Sequence, residues 1–229
     1  MNTPDVKICG LTCVDDALQA LDAGADYLGF VLYPKSPRYV APSALERLRR
    51  KLPASARCIG VFVNSPADSV VQIVQDCELF AAQLAGEEMA AGFLRFRLPL
   101  WRTVRTVGGR WVPGPGEWPV ERFVVDASGP EYGGSGRVAD WARAGVLARA
   151  KPVMLAGGLT PENVAVAVRT VRPAGVDVSS GVESEPGRKD PAKVRKFIQK
   201  ARGASSEEEE GLSPFLDNLS ASPNREEHS

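Results

Sequence analysis

The chain has 229 residues, 44% of them hydrophobic, enough to bury one large α/β domain or two small ones, and its apolar runs are broken too often by Asp, Gly or Pro to approach the roughly 20 residues that span a bilayer. Four cysteines without a C-x-x-C pair exclude a disulfide scaffold and argue against structural zinc, and the single histidine, His228, is penultimate, which removes histidine triads, Cys-His pairs and two-histidine metal motifs from the body. The 28 basic and 28 acidic side chains balance only because residues 203–229 carry seven acids and one base; the first 202 residues hold 27 basic and 21 acidic groups, which mildly favours an anionic ligand, although functionless surface Lys and Arg are the commoner cause.

The opening "MNTPDVKICG" has neither the basic nor the apolar region of a signal peptide, so a cytoplasmic location is expected. A first strand is expected at 6–11 (VKICGL), followed by a helix in VDDALQALDAG. A second at 27–33 (YLGFVLY) leads to PSALERLRRKL, and a third at 57–64 (RCIGVFVN) leads to PADSVVQIVQD. The fourth lies at 79–86 (LFAAQLAG). Residues 87–121 are the weakest stretch: EEMAAGF is barely two turns and GGRWVPGPGEWP is Gly/Pro-rich, so helices four and five are expected to be short or absent around a fifth strand at 100–107 (LWRTVRTV). A sixth strand at 122–128 (RFVVDAS), a seventh at 152–158 (PVMLAGG) with the helix PENVAVAVRTV, and an eighth at 175–181 (GVDVSSG) complete the series. The last helix, DPAKVRKFIQKARG, has an Asp cap, a first-turn Pro, late basic residues and a Gly stop. Residues 203–229, rich in Ser, Glu, Pro and Asn with no repeating apolar face, read as a disordered acidic tail.

Strand starts spaced by 21 to 30 residues, eight times over, fit a single (β/α)8 TIM barrel over 1–202, at the lower size limit of that fold. A doubly wound open sheet competes, but its G-x-G-x-x-G signature after the first strand is missing. In a barrel, chemistry belongs at the C-terminal strand ends. Those ends carry Cys9-Gly10, Asn64, Gln83, Asp126, Gly157-Gly158, and Asp177 followed by Ser179, Ser180 and Gly181.

Two glycines in AGGLTPENV and Ser-Ser-Gly in the next unit suit a phosphate held by backbone N–H groups, against the plain alternative of turn chemistry. Asp126, ending an apolar run, is either a loop cap or a paired or functional carboxylate. Cys9 is evenly balanced between a small buried hydrophobe and a base whose thiol a nearby positive group would lower. Arg38 in SPRYV is either a surface arginine or a fork for a carboxylate.

The segments KICGLT, GADYLGFVLYPKSPRYV, IGVFVN, VVDASGPEYGGSGRVADW, LAGGLTPENV and GVDVSSGVESEPGRKD resemble, in the same order over residues 5–202, the phosphoribosylanthranilate isomerase family of tryptophan biosynthesis. The resemblance implies a (β/α)8 barrel that catalyses an aldose-ketose (Amadori) isomerisation of N-(5-phosphoribosyl)anthranilate, with no metal and no organic cofactor. It implies that Cys9 is the general base taking the C2 proton and Asp126 the general acid opening the ring. It further implies that Arg38 holds the anthranilate carboxylate, that Gly157, Gly158, Ser180 and Gly181 help cradle the phosphate, and that Asp177 lies near the sugar. The expected starting states are a protonated Asp126 and a thiolate Cys9, the reverse of the unperturbed preferences, so the site must either shift both pKa values or work from a minor population. A small phosphosugar is then the partner, with neither nucleic acid nor membrane, and the chain is a monomer or homodimer.

Two departures stand out. QLAGEE has Ala85 where the family usually has histidine, and the shortened 87–121 segment lacks the expected strand-five lysine, for which Arg102 is the nearest candidate. The competing readings are another phosphosugar isomerase barrel, as in the histidine pathway, and a non-catalytic phosphate-binding barrel whose tail meets a partner.

Overall fold

The computed structural model describes residues 3–93, 95–126 and 139–204. In chain order these form β1 (Asp5–Ile8), α1 (Val14–Asp22), β2 (Tyr27–Val31), α2 (Pro42–Arg49), β3 (Cys58–Phe62), α3 (Ala67–Asp76), β4 (Ala81–Leu84), β5 (Leu100–Val107), β6 (Arg110–Val112) and β7 (Arg122–Val125). There follow α4 (Trp141–Ala148), β8 (Val153–Leu155), α5 (Val164–Val171), β9 (Gly175–Val178), β10 (Glu183–Glu185), β11 (Arg188–Lys189) and α6 (Pro191–Gly203). Eight strands pair in parallel in the order β4-β3-β2-β1-β9-β8-β7-β5, and β4 also pairs with β5, so the sheet closes into a (β/α)8 barrel. The eight expected strands are all present.

Closure explains why these strands are apolar on both faces. Side chains alternate across a strand. One set, including Val6, Ile8, Leu28, Phe30, Leu155 and Val176, packs outward against helix residues such as Leu45, Val70, Val164 and Phe197. The other set, Tyr27, Ile59, Ala81, Trp101, Val124, Met154 and Ala156, forms a separate cluster that fills the barrel. Trp101 meets Tyr27 edge-on, with ring centroids 4.9 Å apart. The same alternation places Lys7, Gln83, Thr103 and Asp177 inside, one layer nearer the C-terminal rim, all of them buried.

The outer helices form where an apolar stripe recurs at helical spacing. In α6, Val194, Phe197, Ile198 and Ala201 are the buried residues, and Asp190 caps the start by accepting from the N–H groups of Ala192 (2.9 Å) and Lys193 (3.1 Å) ahead of Pro191. This helix runs through Gly203, one residue past the expected barrel limit, and the rest of the acidic tail, 205–229, lies outside the described residues. No helix among the described residues is long and apolar enough to cross a membrane.

Helices four and five are degenerate, as expected. Between β4 and β5 the described residues hold only a 3-10 turn at Ala90–Gly92, and between β5 and β7 the chain makes the β5–β6 hairpin and a 3-10 turn at Pro115–Glu117. Phe93 and Trp118, both buried and 6.3 Å apart, cover this side of the barrel instead, with the Arg102 guanidinium 4.6 Å over the Trp118 ring. The sequence did not mark α4. Gly145 and scattered arginines dilute its stripe, yet Asp140 accepts from the Arg143 N–H at 3.1 Å and Ala144 and Leu147 are buried.

Candidate functional site

Cys9 lies one residue past β1, where its N–H donates to Val178 O at 2.8 Å, so the thiol inherits the inward face of Lys7 two residues earlier. Gly29 on the adjoining β2 makes room for both. A Cβ at position 29 would stand 2.7 Å from Cys9 Sγ, 3.0 Å from Cys9 Cα and 3.0 Å from Lys7 Cε.

Beneath the thiol runs a polar chain across the barrel. Lys7 Nζ donates to Asp177 Oδ2 at 2.8 Å and to Gln83 Oε1 at 2.9 Å, and Gln83 Nε2 donates to Thr103 Oγ1 at 3.1 Å. Lys7 is 0% exposed, and burial alone would lower its pKa. The charges of Asp177 and Cys9 outweigh burial, so the lysine is held above its ordinary value and stays an ammonium. Asp177 is 7% exposed, and its other oxygen, Oδ1, accepts no hydrogen bond among the described residues, a state that costs about 1–3 kcal/mol in a buried group.

The Cys9 thiol is pushed above its ordinary value, first by burial and further by Asp177, while Lys7 and Lys189 pull the other way. The unliganded site therefore favours the neutral thiol, which of the two expected cases is the one where the thiolate is a minor population. Burial in the barrel raises the cost of the anion by more than the cations recover.

Arg38, in the loop after β2, grips Glu183: Nε donates to Oε1 at 2.8 Å and Nη2 to Oε2 at 2.7 Å. Lys189 Nζ donates to the same Oε1 at 2.8 Å and to Ser179 O at 3.1 Å. Burial opposes ionisation of Glu183, but the bonds from Arg38 and Lys189 prevail and hold its pKa below the usual value. Two cations around one carboxylate leave a net positive charge at the rim. The Arg38 stem passes over Gly10 (φ 74°): a Cβ there would be 2.5 Å from Arg38 Cδ and 2.7 Å from Ser179 Oγ, so the guanidinium reaches the mouth directly beside Cys9.

The loops after β8 and β9 touch. A Cβ on Gly181 would fall 1.9 Å from Leu159 O, so only glycine allows the Ser180–Val182 turn to lie against Leu159 and Thr160, which directly follow Gly157 and Gly158. Gly157 (φ 79°) and Gly158 (φ 65°) take left-handed backbone, and Asn163 fastens their loop by donating to Gly158 O at 2.9 Å and accepting from the Thr160 N–H at 2.8 Å. Asp126 follows β7, half-buried, with its N–H donating to Val104 O at 3.1 Å. Alternation puts it on the inward face of Val124. The remainder of the SGPEYGGSGR segment that follows it, from Ala127 to Val138, lies outside the described residues.

Arg102 does not stand in for an inward lysine. It alternates with the inward-facing Trp101 and Thr103 and so points out, 1% exposed, where it donates to Glu88 Oε2 at 2.6 Å and to the carbonyls of Leu84 and Gly86. Arg105, two residues beyond Thr103, is the strand-five cation with inward register, and it donates to Ala85 O at 3.2 Å. The 85–88 loop is tied down by Asn64, whose Oδ1 accepts from the Glu87 N–H at 2.6 Å and whose N–H donates to Glu88 Oε1 at 2.8 Å.

Cys9, Arg38, Asp177, Gly157, Gly158, Ser180, Gly181 and Asp126 therefore all stand on one rim, on β1, β2, β9, β8 and β7 or directly after them. Sequence reasoning missed Lys7, Glu183 and Lys189. A charged residue inside the apolar run VKIC, two before Cys9, was the available signal for the first. The other two stand six residues apart but 145 or more from Arg38, and nothing local joins them to it.

The family model described as N-(5'-phosphoribosyl)anthranilate isomerase matches residues 6–200. The N-(5'-phosphoribosyl)anthranilate isomerase of Citrifermentans bemidjiense is 44% identical over 198 residues, covering 86% of this chain and 96% of that protein. That of Myxococcus xanthus is 42% identical over 204 residues, 86% and 95% of the two chains. The crystal structure of the isomerase from Thermotoga maritima aligns with a TM-score of 0.76 at 38% identity, covering 87% of this chain and 99% of that one. A solved isomerase in complex with reduced 1-(o-carboxyphenylamino)-1-deoxyribulose 5-phosphate aligns at 0.73 with 34% identity and the same coverage.

Proposed function

Because the chain belongs to the N-(5'-phosphoribosyl)anthranilate isomerase family, we propose that it converts N-(5'-phosphoribosyl)anthranilate to 1-(o-carboxyphenylamino)-1-deoxyribulose 5-phosphate, a step of tryptophan biosynthesis, on the rim described above. The observation that carries the reading is the arrangement of Cys9 and Asp126 just past the ends of β1 and β7, which are separated by β9 and β8, whose touching glycine loops lie between them. A sugar phosphate anchored on those loops would present its two faces to the two groups.

In this reading the N–H groups of Gly157, Gly158, Ser180 and Gly181 cradle the phosphate. The net positive Arg38–Glu183–Lys189 cluster receives the anthranilate carboxylate through Arg38. Asp177 Oδ1, buried without a donor among the described residues, accepts a ribose hydroxyl. Asp126 protonates the ring oxygen as the C1–O bond breaks and the nitrogen lone pair forms the Schiff base. Cys9 then takes the C2 proton, and the C–H electron pair becomes the C1=C2 bond while the iminium electrons return to nitrogen. The resulting enolamine tautomerises to the aminoketose. Since burial favours the thiol, the base acts from the thiolate minority of the free site. These steps call on no metal and no organic cofactor.

The test is the loss of anthranilate fluorescence from freshly made substrate, measured against spontaneous decay, beside the corresponding histidine-pathway aminoaldose. A rate above buffer on the anthranilate substrate supports the proposal. Turnover of the other substrate alone would replace it with the histidine-pathway reading, and turnover of neither would leave a non-catalytic phosphate-binding barrel. One solved relative is described as a mutually generated monomer of a dimeric Thermotoga maritima isomerase. For this chain a monomer or a homodimer in the cytoplasm is part of the same proposal, and sedimentation decides between the two states.

A further inference from the structure

Lys7 is a fully buried charge inside the barrel that the reaction scheme leaves without a task. It is completely buried on β1, and its Nζ is fixed by two short bonds, to Asp177 on β9 and to Gln83 on β4, while Gln83 is itself braced by Thr103 on β5. A lysine kept only to balance Asp177 would need no relation to the thiol. Yet Cys9 Sγ and Lys7 Cε both crowd the same point on Gly29, and β1 gives the two side chains the same face. We propose that Lys7 is a positioning residue whose ammonium supplies the counter-charge for the Cys9 thiolate, and that Asp177, by competing for that ammonium, sets how much of it the thiolate receives. The proposal rests on Cys9 being the base and deepens that assignment.

The electrostatics agree in sign. Lys7 draws the thiol toward ionisation and Asp177 opposes it, after burial as the dominant effect. The other charged groups facing Cys9 are Lys189, from β11, and Arg38, from the loop after β2, which is itself neutralised by Glu183. On β2 the thiol lies beside Gly29, where a Cβ would stand 2.7 Å from Sγ. During turnover the triangle has a use: substrate hydroxyl binding to Asp177 Oδ1 would spread the carboxylate's charge onto the sugar and release part of the Lys7 field to Cys9 as the C2 proton is due to leave.

The sharing makes opposite predictions for its two members, which a scaffold role would not. The ionisation of Cys9 is followed by ultraviolet thiolate absorbance, with the Cys9→Ser form of each variant as blank, so that Cys13, Cys58 and Cys77 cancel. Lys7→Met should raise the midpoint by about one pH unit or more, and Asp177→Asn should lower it, because a charge within about 4–6 Å shifts a pKa by that order. If Lys7→Met fails to fold, the double variant Lys7→Met/Asp177→Asn restores neutrality, and its midpoint should lie above that of Asp177→Asn alone. Equal midpoints in wild type and Lys7→Met, equal midpoints in the double and the Asp177→Asn single variant, or a shift of both single variants in one direction would overturn the proposal. The readout needs no substrate, so a protein inactive as an isomerase but showing the divergent midpoints would sink the functional reading and leave the Lys7 assignment standing.

Discussion

Gly181→Ala puts the contact between the two phosphate-side loops to a direct test. An added Cβ would lie 1.9 Å from Leu159 O, 3.0 Å from Leu159 C and 3.2 Å from Thr160 Cα. All three are backbone atoms, so no side chain can rotate away, and reaching an ordinary separation of about 3.5 Å requires the loops to part by roughly 1.5 Å. Overpacking of this kind costs about 1–3 kcal/mol, which for a chain of this size lowers the melting temperature by several degrees. Parting the loops would also spread the N–H groups proposed to hold the phosphate, and a displacement of about 1 Å is enough to cost on the order of 10²-fold in turnover efficiency. Steady-state assays should show the KM for phosphoribosylanthranilate rising at least about tenfold with a smaller fall in kcat, and inorganic phosphate losing potency as an inhibitor. A variant with wild-type melting temperature, KM and phosphate inhibition would refute both the close approach and its assignment to the phosphate.

Glu183→Gln should raise KM by about tenfold while sparing kcat, because Arg38 loses its bidentate clamp and two cations face each other; steady-state kinetics decide. Since Glu183 is held below the usual carboxylate value, its contribution to stability is present above that value and is lost as pH falls through the lower folded one, so denaturant midpoints measured down an acid series should decline more steeply in wild type than in Glu183→Gln. Deleting residues 205–229 should leave both rate and melting temperature unchanged, as α6 already ends with Ala204 buried against the barrel, and a collapse of either would assign the tail a role.

Local pattern made the barrel legible. Strands such as YLGFVLY and RCIGVFVN are apolar on both faces because one face meets helices and the other fills the barrel, and each is bounded by polar or Gly/Pro signals. α4 escaped notice because Gly145 and Arg143 dilute a stripe that tertiary contact nevertheless buries. Strand-end position located Cys9, Asp126, Asp177 and the glycine loops on one rim. What it did not give was the ionic wiring. Arg38 and Glu183 are far apart in the chain and meet only because the β10–β11 hairpin folds back over the rim, and the direction of the Cys9 shift depends on how much burial outweighs Lys7. Arg102 shows the same limit: its residue type suggested the mouth, whereas its register on β5 turns it outward onto Glu88 and Trp118.

The central claim is that Cys9 and Asp126 form the base and acid of one proton-transfer pair. Its most direct measurement is the turnover of freshly prepared phosphoribosylanthranilate by Cys9→Ser and Asp126→Asn at saturating substrate, both confirmed as folded by thermal melts. Each should lose about 10²–10⁴-fold in kcat while still binding substrate. Near-normal kcat in either variant would contradict the account, whatever the activity of the wild-type chain.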